Sequence, residues 1–157
     1  MAAKKYPLEK LKELRDHRVD EAGTALAGAV RARTAAEIAE AKAAAERAAA
    51  EERARAVRHA EANALNDGSL SAADLQRAQA WEHRVEAERR ELTEKEDAER
   101  TKADAARTGE QDARGELAVK QADAKVIETD RERHLSRVRR EAEAKAEEEA
   151  NEAWRKR

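Results

Sequence analysis

After Pro7 the chain runs to residue 157 without another proline, and only the stretch Asn66-Asp67-Gly68-Ser69 reads as a place where a helix must stop. Proline removes a backbone donor and clashes with the preceding turn, so its absence leaves nearly all of the sequence free to be helical. Asp-Gly is a turn dipeptide. Ser71-Ala72-Ala73-Asp74 follows it, an S-x-x-D sequence with the form of a capping box ahead of Leu75. These signals predict a first helix over about residues 7–65, with Pro7 in its first turn. A turn follows over 66–70, then a second helix over about 71–154. A helix of the first length is roughly 90 Å long at 1.5 Å per residue. A short connection makes two helices antiparallel neighbours. The expected fold is all-α: two long helices in one antiparallel coiled-coil hairpin.

Composition agrees. Ala, Glu, Lys, Leu and Arg supply 109 of 157 residues, and these are the best intrinsic helix formers. Charged residues make up 43% and aromatic residues 2%. Alanine accounts for 40 of the residues counted as hydrophobic, and Leu, Val and Ile together number 19. A chain of this length normally buries one compact core, and 19 aliphatic side chains cannot fill one. A globular enzyme is nearly excluded.

The seam between the helices is thin. Every seventh residue from Leu8 (Leu8, Arg15, Ala22, Ala29, Ala36, Ala43, Ala50, Val57, Ala64) is apolar except Arg15, as one core position of a heptad requires. Alanine fills 20 of the 43 positions from Ala22 to Ala64, so much of that pattern comes free. Val19, Leu26, Val30 and Ile38 fall outside this series. On the second helix Val85, Leu92, Ala106, Ala113 and Ile127 share one phase, interrupted by Glu99 and Lys120.

Folding the chain about Gly68 sets Leu11 near Val126 and Leu8 near Glu128. It also brings Gly23 level with Gly115, and Gly28 level with Gly109. Paired glycines mark a flexible waist or a close approach of two backbones, or coincide by chance. From about residue 131 the second helix has no partner, which leaves a C-terminal overhang of about 25 residues, roughly 40 Å if helical.

The sequence carries no catalytic signature. The four histidines, His17, His59, His83 and His134, never stand at metal-ligand spacing. Asp130 and His134, one turn apart, read as a surface ion pair. No G-x-x-x-x-G-K or G-x-G-x-x-G occurs to cradle a phosphate, and no cofactor is expected. The formal net charge of -2 gives no basic field for nucleic acid. No stretch approaches the ~20 apolar residues that span a bilayer, and the opening residues lack the apolar core of a signal peptide. Zero cysteines fit a reducing compartment. A soluble, cytoplasmic protein is expected.

The opening is more specific than the rest. Lys5-Tyr6-Pro7-Leu8, followed by Leu11, Arg15, Arg18 and Val19, resembles the K-Y-P-L-x-x-L-x-x-x-R-x-x-R-V-like start of the stalk proteins of bacterial type III secretion. These are the injectisome YscO (SctO) family and its flagellar counterpart FliJ. The layout is similar too: a D-G turn before mid-chain, a second long helix, and a charged tail with the late Trp154. The resemblance implies a stalk like the gamma-subunit coiled coil of rotary ATP synthases, seated at the cytoplasmic base of a secretion apparatus. Such a stalk binds the secretion ATPase hexamer, promotes its activity, couples it to the cytoplasmic ring of the export gate and handles export chaperones. Tyr6, Pro7, Leu8, Leu11, Arg15 and Arg18 match the family's opening and are the expected ATPase-facing residues. Leu70, Leu75, Trp81 and Val85, the largest apolar group mid-chain, are expected at the tip facing the gate and chaperones, with Trp154 a possible anchor. The Lys-Tyr-Pro-Leu opening favours the injectisome branch.

Two other classes share the composition. A late-embryogenesis-like hydration protein, disordered in water, repeats an eleven-residue unit, and no convincing repeat is found here. A generic coiled-coil scaffold shares the hairpin but not the opening.

Overall fold

The computed structural model describes residues 5–155, in two helices: α1 (Glu9–Asn66) and α2 (Ala72–Arg155). They pack antiparallel as a helical hairpin, and no strand occurs among the described residues. Pro7 lies in the turn ahead of α1 rather than inside it. There the Glu9 amide donates to the Tyr6 carbonyl at 3.3 Å.

The link is built by its own residues. Gly68 has φ +68°, a left-handed conformation that glycine adopts without steric cost. Its amide donates to the Leu65 carbonyl (3.1 Å) and the Ser69 amide to the Ala64 carbonyl (3.0 Å). This is the Schellman arrangement, which satisfies carbonyls that a helix end would leave unpaired. At the start of α2 the Asp74 amide donates to Ser71 Oγ (3.2 Å), and the Ser71 amide donates back to Asp74 Oδ2 (2.9 Å). Each side chain caps the other's backbone, as the S-x-x-D sequence predicts. Hydrogen bonds from the Ser71 hydroxyl and amide, then Arg77, hold the Asp74 carboxyl below its ordinary pKa.

The hairpin divides into two compact units. The terminal unit is Met1–Gly28 with Gln111–Arg157, described over residues 5–28 and 111–155; the tip unit is Ala29–Glu110. In each, the less exposed residues of α2 advance by alternate steps of three and four. In the tip unit these are Leu92, Glu96, Glu99, Ala103, Ala106 and Glu110; in the terminal unit, Ala113, Leu117, Lys120, Ala124, Ile127 and Arg131. That spacing is the signature of knobs-into-holes packing.

On α1 the seam has a second series beside the alanine one. Val19 and Leu26 belong to it in the terminal unit, and Arg33, Glu40, Arg47 and Ala54 in the tip unit. Val19 and Leu26 are therefore half-buried seam residues, whereas Ile38 is 65% exposed and lies outside the seam. The most buried residues are alanines, Ala103 at 0% and Ala43 at 2% exposure.

The register also differs from a fold about Gly68. Lys12 Nζ lies 3.3 Å from Glu128 Oε2, and Arg131 Nε donates to Glu9 Oε2 at 3.1 Å. Each residue of α1 thus meets α2 about one turn further along, because the link extends to Ser71 and its centre falls beyond Gly68. A Cβ built on Gly23, Gly28, Gly109 or Gly115 meets nothing within 4 Å. No close approach of backbones demands glycine at these positions.

Candidate functional site

In the terminal unit Tyr6 is 6% exposed, the most buried of the opening residues. Its phenol donates to Asp130 Oδ2 at 2.6 Å, and its ring lies 5.5 Å from the His134 ring, tilted by 58°. The bond to Asp130, desolvation and the negative charge of Asp130 push the Tyr6 pKa up to about 12. Asp130 therefore serves the phenol of Tyr6 rather than forming an ion pair with His134, whose buried Nε2 has no hydrogen-bond partner among the described residues.

The other opening residues divide by exposure. Leu11 is half-buried, while Pro7, Leu8 (41%) and Arg18 are exposed. Half-buried Arg15 reaches across to α2, where its Nη1 donates to the Asp123 carbonyl at 2.6 Å. The terminal unit also leaves Leu14 (48%), Val119 (58%) and Val126 (64%) open to solvent. From residue 139 to 155 every residue of α2 is exposed, Trp154 at 80%.

In the tip unit Leu70, Leu75 and Trp81 line a single groove of about 610 Å³ with Val57, Leu65 and Ala78. Leu75 is 51% exposed and Leu65 59%, while Trp81 is half-buried. Arg58, Arg77 and Arg84 border the same groove. Arg58 is occupied by Glu82 through two bonds of 2.7 and 2.8 Å, and Arg77 by Asp74 at 2.5 Å. Val85 does not join the Trp81 groove. It lies beside a smaller one, about 280 Å³, with Ala50, Ala54 and Leu92.

Apolar side chains thus stand open to solvent in both units. Among the described residues no group of three or more His, Cys, Asp or Glu side chains is placed to hold a metal ion. No helix there is long and apolar enough to cross a membrane. The arrangement suits contact with other proteins.

A family model described as YscO-like protein matches residues 3–154. The chain belongs to the YscO-like family. It is a type III secretion stalk protein, from a family of structural stalks. Searches of curated proteins and of solved structures return no match. In this YscO-like protein the residues carrying the family opening are not one exposed strip: Tyr6 and Arg15 contact α2, and Pro7, Leu8 and Arg18 face solvent.

Sequence reasoning missed two features of this YscO-like protein. The Tyr6–Asp130 bond joins residues 124 apart, and no local pattern reveals it. The charged half of the α1 seam was legible in principle, because Arg33, Glu40 and Arg47 recur every seventh residue in phase with Val19, Leu26 and Ala54.

Proposed function

We propose that this protein is the central stalk of a bacterial type III secretion system. It seats its terminal unit on the ATPase hexamer and presents its tip to the cytoplasmic ring of the export gate and to export chaperones. The observation that carries the reading is the family match over residues 3–154. The exposed apolar residues support it: Leu8 and Leu14 in the terminal unit, Leu75 and Leu65 at the tip. On this reading the stalk makes and breaks no bond. It promotes ATP hydrolysis by contact and works at the cytoplasmic base of the apparatus.

Arg15 and Arg18 provide the test at the terminal unit. The double variant Arg15→Glu/Arg18→Glu is expected to keep its helicity and lose stimulation of a hexameric secretion ATPase. Unchanged stimulation would remove these residues from the contact. At the tip, Trp81→Ala is expected to weaken binding to the cytoplasmic ring of the export gate by about tenfold or more, as loss of an aromatic anchor does. Binding that survives with native affinity would clear Trp81 of that role.

A further inference from the structure

The tip-unit seam buries carboxylates. Glu96 is 8% exposed and Glu110 4%. Each is met by an arginine from α1: Arg47 bonds Glu96, and Arg33 Nε stands 2.6 Å from Glu110 Oε2. The two arginines are 14 residues apart, and so are the two glutamates, which is two heptads along each helix. Glu40, midway between the arginines, is held by Arg107 at 3.2 Å, and this alignment sets it across from fully buried Ala103.

The alanine series on α1 does not choose this alignment in the tip unit. Ala36, Ala43 and Ala50 recur every seventh residue on α1, so sliding α2 by one heptad replaces one alanine by another. The charges respond very differently. Slid one way, Arg47 faces Arg89 and Glu40 faces Glu96; slid the other way, Glu40 faces Glu110 and Arg47 faces Ala103. Either slip sets two seam carboxylates against each other and takes both buried glutamates from their α1 arginines, so that Glu96 keeps only Arg100 of its own helix, at 3.5 Å, a costly outcome away from water.

We infer that Arg33–Glu110 and Arg47–Glu96 act as a register lock, selecting one alignment of α1 and α2 among heptad-related alignments that the alanine seam alone tolerates. A buried polar pair is a known means of fixing register at some cost in stability. The consequence reaches the Trp81 groove, which takes Val57 and Leu65 from α1 and Leu75 and Trp81 from α2. Register decides which of these side chains share the groove. The capped link at Gly68 and Ser71 also resists sliding, so the contributions of link and lock must be separated.

The absence of cysteine makes cross-linking of the full chain a direct readout, and it needs no secretion partner. Ala36→Cys/Ala106→Cys reports the observed register; Ala36→Cys/Glu99→Cys and Ala43→Cys/Ala106→Cys report the two slips. In the otherwise native chain only the first pair is expected to close under mild oxidation. Replacing all four lock residues by leucine keeps the seam apolar and foldable, and is expected to raise slipped cross-links by about tenfold or more. Charge reversal by Arg47→Glu is expected to do the same, and Arg47→Glu/Glu96→Arg to restore the native pattern. Helical variants that still close only the first pair would overturn the lock and assign register to the link.

Discussion

Tyr6 is the only tyrosine in the chain, which makes its environment directly readable. Its pKa lies at about 12, mainly because its proton is held by Asp130. A folded-state pKa above the unfolded value of about 10 means that the stabilisation is complete below pH 10 and lost as pH rises through 12. Ultraviolet titration should therefore show tyrosinate forming near pH 12 in buffer and near pH 10 in denaturant. A single midpoint near 10 in both would mean the phenol is free. Tyr6→Phe keeps the ring against His134 and deletes the bond. The variant should lose the stability change that Tyr6 contributes above pH 10, measured by thermal melts across that range.

At the scale of the element, the link is the most local structure in the protein and was the most legible. Asp67-Gly68 and the Ser71/Asp74 pair announce a helix end and a helix start within eight residues, and their bonds join neighbours. The α1 seam is legible only by half. Its alanine series is visible as apolar spacing, whereas Arg33, Glu40 and Arg47 show only a seven-residue recurrence, and their partners Glu110, Arg107 and Glu96 on α2 are visible only in the fold. Exposure at the two candidate surfaces was not legible either: Tyr6 and Arg18 share one motif, yet the first is buried and the second open. Motif spacing records which residues occur, not the helix face that the partner helix covers. Two substitutions probe the link. Gly68→Ala forces a side chain into the left-handed region, where space is free but the backbone is strained; it should cost about 1 kcal/mol. Ser71→Ala removes a cap and should also cost about 1 kcal/mol. Urea unfolding followed by circular dichroism measures both, and an unchanged midpoint for either would remove its residue from the account of the turn.

Among the described residues most of the buried apolar side chains are alanines, and ion pairs join α1 to α2 in each unit, so stability should follow charge. Hydrogen bonds from Arg58 to Glu82 and from Lys95 to Glu46 hold both carboxyls below their ordinary pKa. Depressed carboxyl pKa values stabilise the fold above the unfolded value of about 4.3, and that contribution is lost as pH falls through the folded values. Thermal midpoints are therefore expected to be level near neutrality and to fall below about pH 4. A midpoint that stays level down to pH 3 would show that these pairs contribute nothing net.

The chain has two tryptophans, and the units hold one each: Trp81, half-buried, in the tip unit and Trp154, 80% exposed, in the terminal unit. Indole emission shifts to the blue on leaving water, so the two are expected to differ in colour and in access to a soluble quencher. With either one replaced by phenylalanine, the remaining fluorophore reports on its own unit alone. A partner that covers Trp154 will shield it from iodide, and a partner that fills the groove will dim or shift Trp81. The protein thus carries an optical probe in each unit, and which probe responds will tell which unit a given component of the secretion machinery has touched.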